Sequence, residues 1–253
     1  MQKISGKLTV PSIGFSSALL SKIWSQRNHL NPSEKNGLLN FTIMYLSGHT
    51  EFTISTYLNL LLSRESNFRN HFATSESSSF ENAEIPLSQE LMILNALKEK
   101  EKLVLSAPFE KLKDLCKSIS NKTLEETVGK ECFSGLNGLF AFRNIIAHGR
   151  NFSTKMDWEY PIYFDENGMQ ITKVNHTIEH SIHTILNNLK EKHLIATSNL
   201  NETTETLVEM LYKESVILHY YNVVSSISRI YEELVNADEK ITPKITFPIC
   251  ILQ

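Results

Sequence analysis

Apolar positions recur along most of this chain at three- and four-residue spacing, the period of an amphipathic helix, and polar or proline-containing breaks divide them into segments. Phe15, Leu19 and Ile23 predict a first helix over residues 12–27. Asn31-Pro32-Ser33 interrupts it, and Ser33 with Asn36 nearby can start the next helix. That second helix is predicted over residues 33–71, long enough to bend or break at Gly48. The Ser-rich stretch ATSESSSFENAEIP, residues 73–86, predicts a mobile loop ended by Pro86. Helical patterns resume at 88–105 and 109–120, with Pro108 just ahead of the second. Thr123 and Glu126 have capping-box spacing and open a helix predicted to reach His148. Helices return over 176–192 and over 203–236, the latter carrying Leu207, Leu211, Val216, Ile217, Val224, Ile227 and Ile230.

Two segments break this period. YPIYFDENGMQITKV alternates around Asn167-Gly168, the dipeptide favoured in two-residue hairpin turns, and predicts a small β-hairpin. The tail KITFPICILQ is apolar and β-branched, but Pro243 and Pro248 argue against a central strand, so it is expected to cover a groove on its own subunit or on a partner. The expected fold is mainly α. Its parts are an N-terminal helical extension (residues 1–32), a helical domain (33–195) and a C-terminal helix with an extended tail (196–253).

Composition narrows the function. At 253 residues with 41% hydrophobic positions the chain can bury a sizeable core. A net charge of −3 argues against a surface that coats nucleic acid, so any RNA contact must be local. Cys116, Cys132 and Cys250 are odd in number and far apart, which fits reduced thiols in a cytoplasmic protein better than a disulfide framework. The N-terminal apolar run is broken and no small-residue cleavage pattern follows it, so neither signal peptide nor membrane span is expected. Phosphate-binding glycine loops and G-x-S-x-G elbows are absent, which leaves nucleotide hydrolysis and acyl transfer without support.

The segment FAFRNIIAHGR, residues 140–150, carries the chemistry. On a helix, Cys132, Phe133, Leu136, Leu139, Phe140 and Arg143 fall within about 60° of one line, which sets Arg143 in an apolar stripe. Asn144 and His148 are i,i+4 neighbours on an adjacent line, and Gly149 stands where a left-handed residue would end the helix. A buried cation needs a partner. Upstream, Met44, Ser47, Gly48, Glu51, Ser55 and Leu58 form a stripe in which small residues flank one acid, so Glu51 is the expected partner of Arg143. Geometry alone allows a bland reading: an arginine tied to a carboxylate, and a histidine closing a helix where the dipole favours its charge.

The string resembles the R-N-x-x-x-H signature of HEPN domains, a family of four-helix domains named for nucleotide binding in higher eukaryotes and prokaryotes. The helix around GHTEFTISTYLNLLL, with Glu51, looks like the family's earlier core helix, and the likeness spans roughly residues 33–192. The resemblance implies an antiparallel helical bundle acting as a metal-independent endoribonuclease, without cofactor, in a toxin or antiviral defence setting. RNA would be the substrate, with an antitoxin or regulatory protein as a possible further partner. His148 would move a proton during attack of the 2′-OH on phosphorus, Arg143 would neutralise the phosphorane, and Asn144 would orient either. Family nucleases pair two motifs across a dimer, which implies a homodimer here. Arg150 stands where many family toxins controlled by a nucleotidyltransferase carry Tyr, so AMPylation-type control is not expected. The competing class is a non-catalytic HEPN-like module that binds RNA, a nucleotide or a protein.

Two other clusters invite a metal. His176, His180 and His183 fall at i, i+4 and i+7 of the helix predicted over 176–192, opposite Ile178, Ile182, Ile185 and Leu189, and read as a solvated stripe. Asp157, Glu159, Asp165 and Glu166 gather around the predicted turn and read as loop chemistry. No metal is expected at either.

Overall fold

The computed structural model describes residues 13–76, 84–148, 154–158, 163–164, 166, 170–171, 174–178, 180–195, 210–238, 245–247, 249 and 252. Among them the protein is mainly helical. Helix α1 spans Ile13–Ser25, and after one 3-10 turn at Arg27–His29 the chain enters α2, Pro32–Glu76. Then come α3 (Glu84–Ser106), α4 (Phe109–Ser120), α5 (Leu124–Val128) and α6 (Lys130–Ala147). Strands β1 (Thr154–Trp158), β2 (Tyr163–Phe164), β3 (Gln170–Ile171) and β4 (Val174–Ile178) lead to α7 (His180–Glu191), and α8 covers Glu214–Ala237.

Cap chemistry places the boundaries of α2. Asn31, rather than Ser33, starts it: the Asn31 side-chain oxygen accepts from the Glu34 N–H at 3.0 Å, and the Glu34 carboxylate accepts from the Asn31 N–H at 2.9 Å. Pro32 takes the first helical position, where its missing N–H costs nothing. The helix then runs unbroken through Gly48 to Glu76, about 67 Å at the usual rise per residue. It continues into the stretch expected to be loop, and α3 begins at Glu84, so residues 73–76 and 84–86 are helical; residues 77–83 lie outside the described residues.

The helix expected over 124–148 is two helices. Thr123 and Glu126 do form a capping box, but it opens the short α5, which ends at Gly129. Gly129 has φ +83 and ψ 153, a positive-φ extended conformation open essentially to glycine, which turns the chain before α6 begins at Lys130. The expected helix over 176–192 starts later, at His180, because residues up to Ile178 pair as strand β4 with β1. The last long helix is interrupted at Lys213, whose φ −80 and ψ 141 are extended, and α8 starts after it. Residues 201–209, Leu207 among them, lie outside the described residues.

The strands pair as β1 with β4 and β2 with β3, both antiparallel, with Met156 opposite His176 and Phe164 opposite Gln170. The Asn167-Gly168 turn lies outside the described residues.

Helices α2, α6 and α8 touch one another pairwise; α3 and α4 pack on α2, and α7 packs on α6. Their shared core holds Leu46, Ile54 and Leu58 of α2, Leu136, Leu139 and Phe142 of α6, Ile185 and Leu189 of α7, and Tyr220, Ile227 and Tyr231 of α8. Trp24 from α1 and Phe247 and Leu252 from the tail are buried in the same cluster. Phe247 meets Phe52 edge-on at 6.5 Å, so this part of the tail covers its own subunit. No described helix is long and apolar enough to cross a membrane.

Candidate functional site

Leu136, Leu139, Phe140, Phe142 and Ile145 are buried along α6 and fix the helix that carries the motif. The polar residues at its C-terminal end remain accessible: Arg143 is 31% exposed in its side chain, and Asn144 and His148 are exposed. His148 stands just past the last helical residue with φ −92 and ψ 4, and its backbone N–H returns to the Asn144 carbonyl at 3.2 Å. Gly149 and Arg150 lie outside the described residues.

Arg143 stands between two neighbours. Its Nη1 donates to the Asn144 side-chain oxygen at 3.2 Å, and its Nη2 lies 4.0 Å from Oε2 of Glu51. Glu51 comes from α2, where its side chain is 22% exposed. Its other oxygen, Oε1, accepts the backbone N–H of Phe109 at 3.0 Å. Phe109 is the first residue of α4, and its N–H is one of the donors no helix can satisfy internally. Glu51 therefore caps α4 from a neighbouring helix, with its negative charge at the positive end of the dipole. Directly beneath, the Phe109 and Phe140 rings stack at 3.7 Å with planes 2° apart, tying the start of α4 to α6. Glu51, Arg143 and Asn144 are thus joined by side-chain contacts, and His148 is joined to Asn144 through the backbone.

The Glu51 face differs in detail from the expected stripe. A methyl group at Gly48 would meet nothing within 4 Å, so no helix approaches closely there, and Met44 is exposed. Close approach occurs on α6 instead. A Cβ at Gly135 would lie 2.7 Å from Val223 Cγ2, and one at Gly138 would lie 2.9 Å from the Tyr220 hydroxyl. The signal was present in the sequence, since Gly135 and Gly138 three residues apart on an apolar helix mark a face that admits a neighbour. The Phe109 N–H had no such signal, because every residue but proline carries one.

The other candidate chemistry disperses. His176 is on β4 and His180 begins α7, so the three histidines do not share one helix face. Asp157 lies on β1 and Glu166 is exposed, whereas Glu159 and Asp165 lie outside the described residues. Among the described residues no cluster of three or more His, Cys, Asp or Glu side chains could hold a metal. Burial pushes the Cys116 thiol up to about 11, which makes it a poor nucleophile. Comparison with known protein families, curated proteins and solved structures returns no match to this chain.

Proposed function

We propose that the end of α6 is the phosphate-binding and proton-transfer site of a metal-independent endoribonuclease of the HEPN type. The observation that carries this reading is the accessible arginine–amide pair, Arg143 and Asn144, held beside Glu51 with His148 one turn further on. A guanidinium is the side chain best shaped to hold two oxygens of a phosphate. Imidazole is the group whose ordinary titration range suits proton transfer near neutrality.

In this mechanism His148 takes the proton from a ribose 2′-OH as that oxygen attacks the adjacent phosphorus. Arg143 neutralises charge on the non-bridging oxygens, and Asn144 holds the phosphate against it. The bond to O5′ breaks, O5′ takes up a proton, and the products are a 2′,3′-cyclic phosphate and a 5′-OH. Glu51 touches no reacting atom and serves as a positioning residue for Arg143. Attack and departure lie on opposite sides of the phosphorus, so one imidazole cannot serve both. The partner subunit's His148 supplies the second proton. The exposed Met44 lies two turns before Glu51 on the same line of α2, and with the exposed Phe41 one turn earlier and to one side it provides an apolar face for that second copy.

The test is cleavage of end-labelled RNA in EDTA by the parent protein, His148→Ala and Arg143→Ala, with molecular mass measured by light scattering. Cyclic-phosphate ends from a dimeric parent, reduced about 100-fold or more in His148→Ala, are the expected result. Cleavage that survives His148→Ala would overturn the assignment. One observation favours a second reading, a non-catalytic binding module: the Arg143 guanidinium already contacts Asn144 and Glu51, with which a phosphate must compete. Intact RNA from a folded, dimeric parent would decide for that module.

A further inference from the structure

Helix α6 carries a second polar feature on the face that bears Asn144 and His148. At about 100° per residue, Lys130, Ser134, Asn137, Ala141, Asn144 and His148 follow one line along it. Over its N-terminal half this line borders α7, and a cleft of about 280 Å³ opens there, with Lys130, Phe133, Ser134, Asn137, Asn187 and Glu191 in its walls. Its floor is a fixed hydrogen-bond network. Asn188, only 2% exposed, donates to Ser134 Oγ at 3.2 Å, and its Oδ1 meets His219 Nε2 at 3.0 Å. Ser134 in turn donates to Glu191 Oε2 at 3.4 Å.

The chemistry of these walls selects an occupant. Two carboxylates, Glu125 and Glu191, stand against one ammonium, Lys130, so the cleft disfavours a phosphate. Carboxylates only accept hydrogen bonds, amides do both, and Phe133 contributes an aromatic ring to the wall. A neutral planar ring with N–H donors on its edge satisfies all three. Asn137 lies seven residues from Asn144, about 10 Å along the helix, within reach of the same strand a few nucleotides away.

We propose that this cleft binds an unpaired nucleobase carrying an exocyclic amino group, from the RNA strand whose backbone lies at Arg143 and His148. The proposal rests on the nuclease reading for the placement of that strand. Adenine, cytosine and guanine present an amino group to Glu191 and to the Asn137 and Asn187 amides. Uracil flanks its single N–H with two carbonyl oxygens, which the carboxylates repel. Stacking on an aromatic ring with edge hydrogen bonds is how single-stranded RNA is commonly read.

The test measures binding of labelled oligo-A, oligo-C and oligo-U to His148→Ala protein, which removes the expected cleavage, with and without Asn137→Ala or Asn187→Ala. Melting temperature checks the fold of each variant. Oligo-A and oligo-C are expected to bind about 10-fold more tightly than oligo-U, with the difference lost in the asparagine variants. Equal binding of all three, or a preference that survives both substitutions, overturns the cleft assignment; if the parent cleaves RNA, the nuclease reading stands without it. A preference dependent on Asn137, from a parent that cleaves no RNA, leaves the cleft standing and removes the chemistry. Absence of both binding and cleavage removes both.

Discussion

Glu51 serves two partners with its two oxygens, one a cation and one a backbone donor, and they differ in energetic weight. The ion pair with Arg143, at 4.0 Å and partly exposed, contributes about 1 kcal/mol or less. The capping bond to Phe109 satisfies an otherwise unpaired N–H at a helix start, a class of interaction that typically costs about 1–2 kcal/mol to remove. Glu51→Ala should therefore lower unfolding free energy by about 1–3 kcal/mol in urea titration. Glu51→Gln keeps an oxygen for Phe109 and should lose less than half as much. Equal losses in the two variants would mean that the charge, not the cap, matters. The sequence showed Arg143, Asn144 and His148 as a string and Glu51 as an acid among small residues. It did not show the Phe109 N–H, because a backbone donor is invisible until another helix brings an acceptor to it.

At the scale of elements, apolar spacing located the helices and local chemistry set their ends. Asn31 and Glu34 start α2, and Gly129 separates α5 from α6 where the apolar pattern runs straight through. A pattern reports which face is buried, not whether the backbone turns between two buried stretches. The seat of α6 on α8 depends on the missing side chain of Gly135, since an added Cβ would come within 2.7 Å of Val223 Cγ2 and 3.0 Å of Cγ1. Valine has little rotamer freedom with which to yield. Gly135→Ala is expected to be destabilising, because overpacking of about 1–3 kcal/mol outweighs the roughly 1 kcal/mol that alanine gains in a helix. In a Val223→Ala background the same change should be neutral or stabilising. Thermal unfolding of the four proteins in this cycle measures the coupling, and an equal cost in both backgrounds would refute the close-approach account.

Across the whole molecule, the long α2 supports α3, α4, α6 and α8, and its contact with α8 buries a histidine. His49 is 1% exposed, shares a 3.0 Å hydrogen bond with Ser228 Oγ of α8, and lies beside the Tyr45 ring at 6.0 Å. Burial lowers its pKa from 6.5 to about 4. The unfolded chain therefore binds a proton that the folded one refuses. This contribution to stability is complete above pH 6.5, declines as pH falls, and is lost once pH passes below about 4. The loss is on the order of 3 kcal/mol. Urea titrations across that window should show the decline, and His49→Gln should flatten it. An unchanged slope in the variant would assign the pH dependence to other groups.

The sequence by itself determined that the chain is mainly helical, roughly where its long helices run, and that an arginine, an amide and a histidine gather at the end of one of them. These are local properties, set by periodicity and by residues within a turn or two of one another. The tertiary structure decided that Glu51, the acid expected beside Arg143, also caps α4, and that α6 and α7 enclose a polar cleft on the motif's own face. Each joins residues far apart in the chain, and only the packing of α2, α4, α6, α7 and α8 around one core makes them neighbours.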